Sequence, residues 1–201
     1  MPDQLSYADG ALLEPLSVSL RGFERGPLKL GEAGVVFGAG PIGLISLAIA
    51  KASGACPLII TDLDRGRLDF AERFVPGAVG IQVDLSKSPE EMATVVKEVV
   101  RDQGGDVPRV VFECTGVQSS VIAASFVPRP GGEVIVIGVG KSIMNELPFM
   151  HLSMAEVSCP GFLIPQDGLT DICPGRPKVH QPIQPFLAHS NAPPSTWRSR
   201  P

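Results

Sequence analysis

Three glycines spaced as Gly38-Ala39-Gly40-Pro41-Ile42-Gly43, and an aspartate 19 positions later at Asp62, are the residues best placed to do chemistry in this chain. The chemistry is the holding of a dinucleotide. Gly38 permits a tight turn, Gly40 lets a pyrophosphate approach bare backbone, and Gly43 lets the following helix lie close. That helix would start with unpaired N–H groups and its positive dipole end aimed at the phosphates. Asp62 could accept hydrogen bonds from both hydroxyls of the adenosine ribose. Such a carboxylate repels a 2′-phosphate, so the pattern favours NAD over NADP. Arg67 lies close to Asp62 in sequence and could pack along the adenosine. As a lone pattern G-x-G-x-x-G is weak and fits any glycine-rich turn. Here it is framed by an apolar run before it, a helix-like run after it, and a second apolar run ending in the acid.

A second candidate is Glu14, in the apolar stretch Ala11-Leu-Leu-Glu-Pro-Leu-Ser17. A carboxylate is costly there unless partnered. It is either an exposed helix residue or a group facing a metal or substrate. His180, His189 and Cys173 match no metal-ligand spacing.

The elements that must position these residues alternate along the chain. Ser6-Tyr-Ala-Asp9 reads as a capping box opening a helix with Leu12, Leu13, Leu16, Leu20 and Phe23 at helical spacing. Pro15 should kink or restart it, and Gly26-Pro27 should stop it. Strands are predicted at Gly34–Phe37, Pro57–Asp62, Gly80–Asp84, Val107–Glu113 and Glu133–Gly138. Asp64 can cap a helix carrying Leu68, Ala71 and Phe74. Ser88-Pro89-Glu90-Glu91 is a helix start, followed by Met92, Val95, Val96, Val99 and Val100 on one face. Val117 to Phe126 reads as helical. Strand–helix alternation of this kind predicts an α/β fold, a Rossmann-type doubly wound parallel sheet with right-handed crossovers. Ligands then bind at the carboxyl ends of the strands, where Gly38, Asp62, Thr115 and Gly138 would form one site.

Composition narrows the function classes. Of 201 residues, 44% are hydrophobic, enough for a core, and the net charge is −4 with a single Trp. That argues against a nucleic-acid surface. Ala33 to Ala50 is uncharged and near spanning length, but its glycines and Pro41 favour a buried strand and helix over a membrane segment. Four cysteines without a C-x-x-C pair fit a reduced, cytoplasmic chain. From about Cys159 prolines accumulate and periodicity stops, which predicts an irregular, poorly ordered tail over 159–201.

Four motifs, in order, give the chain a resemblance: Ala11-Leu-Leu-Glu14-Pro-Leu-Ser-Val18, Gly38-Ala-Gly-Pro-Ile-Gly-Leu44, Phe112-Glu-Cys-Thr-Gly116 and Gly131-Gly-Glu-Val-Ile-Val-Ile-Gly138. They resemble the zinc-dependent medium-chain polyol dehydrogenases, most of all the sorbitol, xylitol and L-arabinitol 4-dehydrogenase branch, over about Pro2 to Val157. The resemblance implies hydride transfer from a secondary alcohol to NAD, with zinc polarising the alcohol oxygen. It implies that Gly38, Gly40, Pro41, Ile42 and Gly43 hold the pyrophosphate, Asp62 the ribose and Arg67 the adenosine side. Thr115, Gly138 and Val139 would line the nicotinamide, and Glu14 would stand close to the zinc.

Departures from the family are equally informative. No Cys and Gly-His-Glu motif of a catalytic domain is found, so no metal ligands are expected in this chain. The segment after Val157 lacks the family's aromatic–arginine–aromatic strand. The chain therefore reads as the cofactor half of such an enzyme, with both flanks missing. Residues 1–27 would be a linker helix from the catalytic domain, 28–158 the NAD-binding domain, and 159–201 the tail. Family members are homo-oligomers, and their interface is expected to be incomplete here. Two other readings stay open: a non-catalytic dinucleotide-binding module, and an inactive fragment.

Overall fold

A computed structural model describes residues 6–141 and 143–159. The expected tail after Cys159, with His180, His189 and Cys173, lies outside the described residues. Eleven elements alternate in order: α1 (Tyr7–Arg25), β1 (Gly34–Phe37), α2 (Pro41–Ala52), β2 (Leu58–Asp62), α3 (Arg65–Phe74), β3 (Ala78–Gln82), α4 (Pro89–Asp102), β4 (Val110–Glu113), α5 (Gln118–Ser125), β5 (Glu133–Val136) and α6 (Phe149–Met154). The five strands form one sheet in the order β3-β2-β1-β4-β5, and every pairing is parallel. This is the predicted doubly wound α/β fold. The strand order reverses between β1 and β4, which opens a crevice at their carboxyl ends.

Alternation along the strands divides the core in two. Val36, Ile60, Phe112 and Ile135 pack on one face with Phe23, Leu47 and Leu68. Val35, Phe37, Ile59, Val111 and Val134 pack on the other with Met92, Val96 and Ala124. Period-two side chains must point to opposite faces, so a strand covered by helices on both sides is apolar throughout. Burial of all four residues of β1 follows. The apolar stretch 33–50 is thus a strand, a turn and a helix. Among the described residues no helix is long and apolar enough to cross a membrane.

Local starts and stops follow the side-chain chemistry. α1 has its capping box, with Ser6 Oγ accepting from the Asp9 N–H at 3.2 Å and Asp9 Oδ2 accepting from the Ser6 N–H at 2.9 Å. α4 repeats the device with Ser88 and Glu91, and Pro89 opens the helix. Asp64 caps α3 through the Arg67 N–H.

Several expectations are corrected. Of the two outcomes expected at Pro15, a kink or a restart, the restart does not occur: α1 runs through it as one helix of 19 residues. Its buried face is Ser19, Gly22 and Phe23, whereas Leu12 is 55% exposed and Leu20 is also exposed. Small residues let the helix approach the sheet: a Cβ at Gly22 would stand 2.6 Å from Ile137 Cδ1, and one at Gly26 2.7 Å from Ile135 Cγ1. Phe23 then stacks on Phe112, with centroids 3.9 Å apart. In α3, Leu68 and Ala71 are buried, but Phe74 is exposed and stacks on Phe70. β3 begins two residues earlier than expected, at Ala78. Gly80 sits mid-strand because α3 crowds it, with Leu68 Cβ and Glu72 Oε1 both about 3 Å from where its Cβ would be. β4 begins later, at Val110, since Pro108 has no N–H to pair. β5 ends at Val136, after which the Ile137 and Gly138 N–H groups both donate to the Glu113 carbonyl at 2.7 and 2.9 Å.

Candidate cofactor site

The carboxyl ends of β1, β2 and β4 surround a cavity of about 440 Å³. Gly38, Gly40, Asp62, Arg67 and Thr115 line it, so five of the residues expected at one site do share one. Pro41, Ile42 and Gly43 form the first turn of α2 beside it.

The glycine turn is built by different constraints at each position. Gly38 has φ +97°, a conformation L side chains rarely adopt, and its N–H donates to the Thr61 carbonyl at 2.7 Å. Gly43 is fixed by contact, since a Cβ there would lie 1.8 Å from the Gly38 carbonyl oxygen. Gly40 is different. It has an ordinary extended backbone, and a Cβ there would meet nothing within 4 Å. Only the empty space above the helix start distinguishes it. Gly40 is also the N-cap of α2, and no side chain caps that end. Unpaired N–H groups at a dipole's positive end, facing a space that a methyl would fill, suit an anion such as a pyrophosphate.

Asp62 is the most constrained acid of the site. Its Oδ2 accepts from the Ala39 N–H at 2.7 Å and its Oδ1 from the Asp64 N–H at 2.9 Å. One bond ties it to the glycine turn and the other to the cap of α3. The carboxylate is therefore aimed, with further lone pairs on each oxygen for a ligand. Arg67 Nη1 stands 3.9 Å from Asp62 Oδ2 and is 61% exposed in its side chain, a loose pair free to swing over a bound ring. Asp84 and Lys87 close the cavity on the β3 side. Asp84 is held below the usual carboxylate range by hydrogen bonds from the Ser86 hydroxyl and N–H. The walls thus carry two acids and two bases, with apolar Val83, Leu85 and Met92 between them.

At the β4 side Cys114, Thr115 and Val117 form the wall, continued by Ser119, Ser120 and Ala123 of α5. Gly138 lies behind it: a Cβ there would be 2.0 Å from the Gly116 nitrogen, so the turns after β4 and β5 stack backbone on backbone. Val139 is 85% exposed, and neither it nor Gly138 lines the cavity. Cys114 lines the cavity with a thiol that burial pushes up to about 12. Glu14 lies on α1, exposed and away from the cavity. Among the described residues, no three His, Cys, Asp or Glu side chains gather to hold a metal.

Sequence reasoning missed two parts of this site. The wall from Val83 to Lys87 was hidden because β3 was drawn two residues late, which put Val83 and Asp84 inside the strand. Glu113 enters the sequence reading only as the end of a predicted strand and a member of the Phe112–Gly116 motif, although it is fully buried at the base of the Thr115 turn. An acid closing an all-apolar strand was the available signal.

Residues 41–172 match the family model described as zinc-binding dehydrogenase. The chain belongs to that family. It is 51% identical over 158 residues to the L-arabinitol 4-dehydrogenase of Aspergillus niger, covering 76% of this chain and 41% of that protein. Mouse sorbitol dehydrogenase is 38% identical over 161 residues, covering 80% and 43%. Among solved structures, the 2R,3R-butanediol dehydrogenase of Bacillus subtilis superposes with a TM-score of 0.68 at 32% identity, covering 86% of this chain and 47% of that one. The chain therefore spans about two fifths of the length of the curated relatives it matches.

Proposed function

We propose that this chain is the cofactor-binding half of an NAD-dependent polyol dehydrogenase, which moves a hydride from a secondary alcohol of a sugar alcohol to NAD. The observation that carries this reading is the pairing of Gly40, open above an uncapped helix start, with the aimed carboxylate of Asp62 in one cavity. The relatives named L-arabinitol 4-dehydrogenase and sorbitol dehydrogenase support the substrate class.

NAD, when bound, supplies the hydride acceptor. The residues of this chain bind and orient it. The N–H groups at the start of α2 would take the pyrophosphate, Asp62 the two ribose hydroxyls, and Arg67 the face of the adenosine. Thr115 would bound the nicotinamide end, with Gly138 and Val139 on the neighbouring turn. Asp62 discriminates against a 2′-phosphate by charge, while Arg67 and Lys87 work the other way. The described residues offer no fitting set of zinc ligands. Glu14 is assigned by family resemblance to the face of α1 that meets the catalytic half. The cysteine pattern supports a cytoplasmic location, and the same resemblance supports a homo-oligomeric state of the whole enzyme.

The test mixes this chain with the separately expressed N-terminal half of the Aspergillus niger relative and follows NAD reduction with L-arabinitol, sorbitol and xylitol. Reduction with at least one of them is expected, and Glu14→Ala should lower its rate while leaving NADH affinity unchanged. NADH binding without any reduction would favour a non-catalytic dinucleotide-binding module.

A further inference from the structure

We propose that Glu113 is a positioning residue for the nicotinamide half of the bound dinucleotide, a claim that rests on the cofactor reading of the cavity. Glu113 ends β4 with its side chain wholly buried. Its Oε1 accepts from the Thr115 N–H at 2.9 Å, from the Thr115 hydroxyl, and from the Ser120 hydroxyl at 2.9 Å. Its Oε2 accepts from the Gly116 N–H at 3.0 Å. All four donors are neutral, and all come from the turn after β4 or the first turn of α5. Burying a carboxylate is tolerable only with such a full set of donors.

The arrangement decides which way the Thr115 side chain is turned. The Thr115 hydroxyl donates to Glu113 and accepts from the Val117 N–H at 3.0 Å, so its one proton is committed to the carboxylate. The Thr115 methyl is left to lean on the glycine turn, its Cγ2 standing 2.7 Å from where a Cβ of Gly38 would be. The glycine at that place makes room for it. The carboxylate thereby locks the β4 turn against the β1 turn, holding the Thr115 hydroxyl on itself and the Thr115 methyl against the glycine turn. A glutamine cannot do this, because its amide nitrogen must face one of the converging donors. Aspartate is one methylene too short to reach them.

The effect should be confined to one end of the cavity. Asp62 and Arg67 lie on β2 and α3, and none of the four donors belongs to them. The test compares full-length wild type, Glu113→Gln and Ser120→Ala by calorimetry with NADH and with AMP, which reaches only the adenosine end. Glu113→Gln is expected to weaken NADH about tenfold and AMP less than twofold. Ser120→Ala, which removes one donor and adds no conflict, should weaken NADH about two- to threefold with AMP unchanged. It decides the matter if Glu113→Gln fails to melt cooperatively. Equal losses for both ligands, or a lower melting temperature with both affinities intact, would overturn the proposal by reducing Glu113 to a support of the fold. A wild-type chain that binds neither ligand would overturn the cofactor reading and this proposal with it.

Discussion

Gly40 and Gly43 stand three positions apart in one motif, and the structure assigns them opposite consequences on substitution by alanine. At Gly43 the new methyl would sit 1.8 Å from the Gly38 carbonyl oxygen. That atom is backbone, so no rotamer change relieves the clash, and α2 must shift. Overpacking of this kind costs roughly 3 kcal/mol. For a body of this size each kcal/mol lowers the melting temperature by about 2–4 °C, so Gly43→Ala should melt about 6–12 °C lower. At Gly40 nothing lies within 4 Å and the backbone is extended at φ −76°. Alanine is the poorer N-cap by about 0.5–1 kcal/mol, and stiffening the unfolded chain returns about 0.4–1 kcal/mol. The two nearly cancel, so Gly40→Ala should change stability by less than about 0.5 kcal/mol. Its methyl would nevertheless occupy the pyrophosphate space, and NADH affinity should fall at least about tenfold, or 1.4 kcal/mol. Thermal melts and calorimetry on the two variants separate the effects. A Gly40→Ala chain that binds NADH as the wild type does would refute the assignment of that space to the pyrophosphate.

Three further outcomes are expected. Ser88→Ala removes the side-chain half of the α4 capping box and should cost about 1 kcal/mol in urea unfolding. In the folded chain at pH 8, a thiol reagent followed by mass spectrometry should label exposed Cys56 and spare Cys114, whose thiol, at about 12, stays protonated there and reacts only after unfolding. Burial raises the pKa of Glu32, but the Arg109 guanidinium at 3.1 Å and the Lys29 N–H outweigh it, so the group sits below its usual 4.5. Its stabilising contribution is therefore present above pH 4.5 and lost as pH falls through the lowered value, and Glu32→Gln should flatten that part of the stability-versus-pH curve.

Much of this architecture was legible because local signals agreed with the fold. The capping boxes at Ser6 and Ser88 and the glycine motif each act within a few residues of themselves, and the acid at the end of β2 is signalled by its spacing from that motif. What was not legible depended on distant partners. The leucines of α1 keep helical spacing, yet the buried face is the one with Gly22 and Gly26, where a Cβ would clash with Ile137, Ile135 and Val110. The boundary of β3 depends on how closely α3 lies over Gly80. Glu113 looks like an ordinary strand-ending acid until four donors from the next turn are seen to converge on it. Glu14 was singled out for standing in an apolar run, and on the described surface it is exposed.

The central claim is that the cavity between the Gly38 turn and Asp62 is an NAD site. Calorimetric titration of the chain with NADH and with NADPH, repeated on Asp62→Ser, tests it most directly. The account predicts one NADH per chain, bound at least about tenfold more tightly than NADPH, a gap of about 1.4 kcal/mol that narrows in Asp62→Ser. NADPH binding as tightly as NADH in the wild type would contradict it.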